Sequence, residues 1–260
     1  MQVKPKKFLG QHFLTDLDIA SRIADTVDEV KDIPVLEVGP GMGVLTQFLM
    51  KKNRELKVVE IDRESVEFLN KNFTGLQGKI IEEDFLKMNL SDTFEGQQFV
   101  LTGNYPYNIS SQIFFKMLEY KELIPCCTGM IQKEVAERMA AAPGSKAYGV
   151  LSILVQAWYD VEYLFTVDEH VFNPPPKVKS AVIRLKRNGM QNLGCDERLF
   201  RRIVKTVFTM RRKMMRNGMK QIVGADHPML ADPIFNKRPE QLSIQDFVEL
   251  TNRVSDEHPS

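Results

Sequence analysis

The chain has 260 residues, 43% of them hydrophobic and 27% charged, and its 35 lysines and arginines nearly balance 34 aspartates and glutamates, for a net charge of +1. This length suits one large domain with a small appendage, and no stretch approaches the roughly 20 apolar residues that a membrane-spanning helix requires. Three cysteines (Cys126 and Cys127 adjacent, Cys195 alone) and four scattered histidines (His12, His170, His227, His258) give neither a disulfide framework nor metal-ligand spacing, and the lysine-containing polar start lacks the apolar core of a secretory signal, so no metal and a cytoplasmic location are expected.

In chain order, apolar residues Leu17, Ile19, Ile23, Ala24 and Val27 predict a helix within 14–30, with Asp16 and Asp18 near its start, where acidic groups favour the helix dipole. A short strand follows at 35–38, ending in Gly39, then a helix at 44–51, a strand at 56–61 and a helix at 64–72. Further strands are predicted at 79–82 and 99–102, a helix at 111–120 with Ser110 as its N-cap, and a central strand within the apolar run 124–131. Strands alternating with helices across short loops imply a mostly parallel sheet covered on both faces. The pattern changes after about residue 185: a loop around 188–194 leads into helical stretches at 197–209, 212–222 and 244–254. The expected organisation is an α/β domain over 1–186 and a small all-helical domain over 187–260.

Three features at successive strand ends point to one ligand. The sequence Gly39-Pro40-Gly41-Met42-Gly43 joins the first sheet strand to a helix, with glycines that let the backbone turn sharply and approach a ligand. Its G-x-G-x-G spacing differs from the G-x-G-x-x-G of dinucleotide enzymes. Glu60, twenty-one residues after Gly39, ends the second strand, where an acid accepts hydrogen bonds from ribose hydroxyls. Asp84 follows a third strand, where it can accept from the exocyclic amine of an adenine. Together they predict an adenosine-containing cofactor at the carboxyl ends of parallel strands.

The most informative stretch is Asn104-Tyr105-Pro106-Tyr107, directly after the fourth strand. An adenine N6 amine is a poor nucleophile because its lone pair is delocalised into the ring. The Asn104 side-chain oxygen can accept one of its hydrogens, and the backbone carbonyl of Tyr105 or Pro106, stiffened by proline, can accept the other. Tyr107 can stack on a base drawn out of its helix or loop. Phe172, beside Pro174-Pro175-Pro176, is a candidate to cover the opposite face of that base; a buried packing role is equally compatible with its position. The segment from 171 to 220 carries fourteen lysines and arginines and two acids, a net +12 against −11 for the rest of the chain. Such local charge points to a polyanionic partner.

These residues resemble those of a known family, the ribosomal small-subunit RNA adenine dimethyltransferases (the KsgA family). The likeness runs from Gly10-Gln11-His12-Phe13-Leu14 through the glycine loop, Glu60-Ile61-Asp62, Asp84 and Asn104-Tyr105-Pro106-Tyr107 to Gln132–Arg138, Pro143–Gly149, Pro174–Val182 and Arg211-Arg212-Lys213. The resemblance implies a Rossmann-like class I methyltransferase domain with a mostly parallel seven-stranded sheet and a helical C-terminal domain. It implies S-adenosyl-L-methionine as cofactor, held by His12, Leu14, Gly39, Gly41, Glu60, Asp84 and Asn104. It also implies transfer of four methyl groups, two onto each of two adjacent adenosines near the 3′ end of small-subunit rRNA, in an assembling 30S particle. Asn104, Tyr107 and Phe172 are the expected catalytic residues, and Arg201, Arg202, Arg211, Arg212 and Lys213 the expected RNA contacts, in a monomer that binds no membrane. Two positions depart from the family pattern: His12 stands where asparagine is usual, and Tyr105 where leucine or isoleucine is usual. The competing readings are the macrolide-resistance type of enzyme, which dimethylates large-subunit rRNA, and a non-catalytic assembly factor. The stretches 143–149 and 177–182 favour the small-subunit enzyme over the first, and the presence of Glu60, Asn104 and Tyr107 argues against the second.

Overall fold

The protein is described from a computed structural model covering residues 3–257; Met1, Gln2 and His258 to Ser260 lie outside the described residues. Its elements in order are β1 (Phe13–Leu14), α1 (Leu17–Asp25), β2 (Val35–Val38), α2 (Thr46–Leu49), β3 (Leu56–Glu60), α3 (Arg63–Asn72), β4 (Ile80–Glu82), β5 (Val100–Thr102), α4 (Ser110–Glu119), β6 (Cys126–Gln132), α5 (Lys133–Met139), α6 (Val150–Gln156), β7 (Tyr159–Val167), β8 (Phe172–Asn173), β9 (Ser180–Arg187), α7 (Glu197–Thr209), α8 (Met215–Val223) and α9 (Ile244–Glu257). No helix among the described residues is long and apolar enough to cross a membrane.

Seven strands form one sheet in the order β4-β3-β2-β5-β6-β9-β7. The first five of these run parallel, and β9 lies antiparallel to β6 across seven residue pairs. Strands buried on both faces need continuous apolar runs rather than alternation, and β2, β5 and most of β6 are buried throughout. Chain order reverses beside β2: β3 and β4 lie to one side, β5 and β6 to the other. A crevice at the carboxyl ends of the strands opens at such a reversal.

Helix boundaries follow caps more closely than apolar periodicity. Asp16 caps α1 through a bond to the Ile19 N–H of 2.9 Å, so the helix starts at Leu17 rather than Leu14, and Leu17 itself is exposed. Residues 13–14 instead pair with 172–173 as a two-stranded clip. The expected helix at 44–51 narrows to the four residues of α2. Ser110 is the first residue of α4 and not its cap; its hydroxyl donates back to the Tyr107 carbonyl at 3.3 Å.

The chain forms two compact units, one of residues up to Ala136 with Asp160–Arg187, the other of Glu137–Tyr159 with residues from Asn188 onward. The sequence reading placed a single boundary at 186/187 and left 137–159 with the first domain. In the structure, Gly144 N–H donates to the Glu240 carbonyl at 2.7 Å, and the Arg211 guanidinium donates to the carbonyls of Ser145 and Lys146, tying this segment to the C-terminal helices. Within this second unit α7 buries Phe200, Ile203, Val204 and Val207. Gly218 of α8 meets Val207 so closely that an added Cβ would lie 2.7 Å from its Cα.

Candidate active site

The ends of β2, β3, β4 and β5 border a cavity of about 190 Å³ lined by Gly39 and Gly41, Glu60 and Ile61, Asp84 to Leu86, and Asn104 to Ile109, with residues 9–13 across it. Gly39 and Gly41 both have positive φ, 68° and 54°, which strains any residue with a Cβ. At Gly41 a Cβ would also lie 2.9 Å from the Phe13 ring. Gly43 serves a different end: its open side is filled by Phe73, so it packs the loop onto α3.

Glu60 is 4% exposed and accepts from two backbone donors, Gly41 N–H at 3.0 Å and Asp62 N–H at 2.9 Å. Burial raises its pKa, and those two N–H groups pull it back. Each carboxylate oxygen keeps a second lone-pair direction after these bonds, the acceptor capacity that two ribose hydroxyls require. Asp84 accepts from Leu86 N–H at 3.0 Å through Oδ1, and the exposed Lys87 lies 3.7 Å from Oδ2. Ile61, Phe85 and Leu86 supply apolar wall at this part of the cavity.

Beyond β5 the chain continues Gly103-Asn104, and Asn104 bridges to Met130 of β6. The Asn104 amide donates to the His12 carbonyl at 3.0 Å. This bond fixes the side chain and leaves Oδ1 to accept. The Pro106 carbonyl receives Ile109 N–H at 3.3 Å. Tyr107 hydrogen-bonds through its hydroxyl to the buried Ser180 and sets its ring 5.2 Å from that of His12; burial raises the phenol pKa. Tyr105 turns the other way. Its ring is 1% exposed, meets Phe114 edge-on at 5.7 Å, and its hydroxyl donates to the Thr128 carbonyl at 2.8 Å. The departure at position 105 is therefore absorbed by burial of the ring, although Tyr105 is among the residues that line the cavity.

The structure separates the remaining expected residues. His12 borders the cavity; its Nδ1 lies 2.8 Å from the Pro174 carbonyl. Leu14 does not border it. Leu14 is buried in the core and touches only a smaller adjoining hollow, shared with Glu37, Gly39, Gly41 and Asn104. Phe172, expected over the target base, is 3% exposed and packs in the hydrophobic core, because its pairing with Leu14 turns both side chains inward. The sequence reading passed over Lys6, Gln11, Asp62 and Ser180 as site residues. Asp62 had a visible signal, its place two residues after Glu60; the others are set by long-range contacts that a sequence does not display.

Of the expected RNA contacts, Arg202, Arg212 and Lys213 are exposed and Arg201 is half-buried. On α7 the residues Arg198, Arg202 and Lys205 share the exposed face at helical spacing. Arg211 is different: its guanidinium holds the 145–146 carbonyls and lies 4.0 Å from Glu240.

The model of the family described as Ribosomal RNA adenine dimethylase matches residues 2–256. The chain belongs to this family. Its relatives include the ribosomal RNA small subunit methyltransferase A of Phocaeicola vulgatus, 72% identical over 97% of this chain and 90% of that one, and its namesake from Bacteroides thetaiotaomicron, 69% identical over 98% and 95%. Among solved structures, a dimethyladenosine transferase from Plasmodium falciparum is 25% identical with a TM-score of 0.80, over 95% of this chain and 98% of that one. The 23S rRNA methyltransferase ErmE is 26% identical with a TM-score of 0.66, over 92% and 99%. The fold is thus the Rossmann-like class I methyltransferase fold, and S-adenosylmethionine is the cofactor of the family. The residues present fit it: Glu60 offers a buried acceptor suited to a ribose, Asp84 an acceptor suited to an adenine amine, and Gly39 and Gly41 line the cavity without side chains. Among the described residues no group of three histidines, cysteines or carboxylates converges as a metal site.

Proposed function

We propose that this chain methylates the N6 amine of adenine in small-subunit rRNA, placing two methyl groups on each of two adjacent adenosines near its 3′ end, as a monomer acting on an assembling 30S particle in the cytoplasm. The observation that carries this reading is the Asn104 amide pinned to the His12 carbonyl at the rim of the cofactor cavity. Pinned there, Oδ1 is an acceptor in a fixed direction, suited to one N6 hydrogen. Because the Pro106 carbonyl already receives Ile109 N–H, the Tyr105 carbonyl is the better acceptor for the second. With both hydrogens held in the first transfer, and the one that remains held in the second, the nitrogen lone pair turns out of conjugation toward the cofactor; the proton that the amine loses in each transfer passes to solvent. Bound S-adenosylmethionine supplies a methyl group on a sulfonium, a leaving group that needs no further activation. The protein contributes positioning and oriented dipoles rather than a strong base. Tyr107, anchored at its hydroxyl, offers the ring on which the extruded base stacks.

Relatives named for the small subunit support the small-subunit substrate over the large. The test is methyl transfer from labelled cofactor to small subunits that lack the modification, beside large subunits and an Asn104→Ala control. Dimethyladenosine in small-subunit RNA alone, lost in the control, is the expected result. Labelling confined to large subunits would reassign the substrate, and subunit binding without transfer would leave a binding factor.

A further inference from the structure

Residues 6–12 cross the cofactor cavity as a strap, with Leu9 to His12 forming part of its wall. The strap turns through a short 3-10 segment, Lys7–Leu9, and a left-handed Gly10 that leaves no room for a Cβ beside Asn108. Asn108 donates to the Phe8 carbonyl at 3.1 Å, and the Gln11 side chain accepts from Lys6 N–H at 2.7 Å. Asn108 and Asn104 hold the loop at Phe8 and His12; at Lys6 and Gln11 one carboxylate fastens it to the sheet domain. Asp62, its side chain 1% exposed, receives the Lys6 ammonium on Oδ1, the Gln11 amide on Oδ2 at 3.2 Å and the Ser65 hydroxyl on Oδ2 at 3.0 Å. Lys6 reaches Glu64 as well, at 3.2 Å. The same Asp62 donates its own N–H to Glu60 Oε1 and caps α3 through Glu64 N–H.

From this geometry we infer that Asp62 is the positioning residue of the cofactor site: one buried carboxylate latches the strap over the cavity through Lys6 and Gln11, while its peptide orients the Glu60 carboxylate that receives the ribose. This rests on the cofactor reading above. Burial alone would push the Asp62 carboxyl up; the bonds from Lys6, Gln11 and Ser65 hold it below its ordinary value, and the bond to Asp62 raises Lys6 in turn. The charged pair is thus the stable form of the closed strap. A latch of this kind acts on the residence of the cofactor and leaves the Asn104–Tyr107 geometry in place.

Two variants separate the latch from the fold. Lys6→Met removes the ammonium but keeps the stem and leaves the α3 cap intact. Asp62→Asn keeps a capping oxygen and discards the charge. Binding of S-adenosylhomocysteine by calorimetry, the KM for S-adenosylmethionine against kcat, and tryptic cutting after Lys7 with and without S-adenosylhomocysteine are the readouts. Lys6→Met is expected to weaken binding and raise KM about tenfold, the scale of one hydrogen bond to a charged group. Its kcat should stay within about twofold, and the strap should be cut faster in both states. Asp62→Asn should do the same more strongly. Unchanged affinity in both variants, or a fall in kcat at constant KM, would overturn the proposal. Failure of the unaltered protein to bind S-adenosylhomocysteine would instead overturn the cofactor reading, and the latch with it.

Discussion

Glu37 sits on β2, 1% exposed, with its Oε2 lacking a hydrogen-bond partner. Burial pushes its carboxyl up to about 8; the neighbouring Thr46 hydroxyl draws it back in part, and Glu60 adds to the rise. An unfolded glutamate titrates near 4.5, so between that value and about 8 the folded chain holds a proton that the unfolded chain has released. Stability from this group is therefore complete below pH 4.5 and is lost as pH climbs to about 8, with each pH unit inside the window worth at most about 1.4 kcal/mol. Glu37→Gln removes the titration. Thermal melts should show the variant gaining on the unaltered protein as pH rises, by roughly 5 °C at pH 8.5, with the gap closing near pH 5. A gap independent of pH would mean that Glu37 is charged throughout. Tyr107 makes a second residue-scale case. Ser180→Ala takes away the partner of its hydroxyl but not the ring. Single-turnover methyl transfer should slow by about threefold to tenfold while the KM for the cofactor stays fixed, and Tyr107→Ala should cost a further factor of about ten, since base stacking is worth about 1–3 kcal/mol. Equal losses in both variants would show that the tether, and not the ring, is what matters.

Among elements, the junction of β5 and β6 decides where Asn104 lies. Gly129 of β6 has φ +140°, and a Cβ there would stand 2.3 Å from the Gly103 carbonyl oxygen and 2.8 Å from the Tyr105 ring. Gly129→Ala must push the Asn104 peptide away from β6, so both stability, by about 3 kcal/mol, and methyl transfer should fall together. Tyr105→Leu, which restores the residue usual in the family, leaves that backbone alone. It removes the bond to the Thr128 carbonyl and should cost about 1–3 kcal/mol in denaturant unfolding with kcat changed less than about threefold. If Tyr105→Leu instead abolished transfer, the ring would be acting on the site directly. The same elements show what a sequence exposes. β2, β3 and β6 were legible as short runs dominated by apolar residues, and Gly39, Glu60, Asp84 and Asn104 were legible because each stands at a strand end or within two residues of one. Phe172 misled because an aromatic beside three prolines looks the same whether its ring faces a ligand or the core; only the pairing with Leu14 turns it inward. Helices α5 and α6 flank a glycine-containing turn and have seven residues each, too few for a helical period to declare itself.

At the scale of the whole molecule, the net +12 segment of the sequence is divided between the two units. Its first part belongs to the sheet unit, where Lys179 pairs with Asp168 at 2.6 Å, Arg184 with Glu29 and Glu162 at 3.0 and 2.6 Å, Lys186 with Glu29 at 2.5 Å, and Arg187 with Glu122 at 3.4 Å. These cations are answered locally by acids distant in sequence, which a count along the chain cannot reveal. Exposed cations of the segment include Lys177 in the sheet unit and, in the helical unit, Arg198 and Arg202 of α7 with Arg212 and Lys213 in the turn after it. Each lysine or arginine that neutralises a phosphate displaces about one condensed counterion, and so adds about one unit, or less on single strands, to the slope of log affinity against log salt. Arg202→Gln with Arg212→Gln should therefore lower that slope by about 1.5 to 2 for small-subunit RNA, with no change in cofactor affinity. Arg211→Gln should behave otherwise. Its guanidinium ties 145–146 to the C-terminal helices, so its loss should lower the melting temperature by several degrees and leave the salt slope nearly unchanged. A slope that falls for Arg211→Gln and not for the Arg202, Arg212 pair would mean that the RNA opens this tie and takes Arg211 for itself.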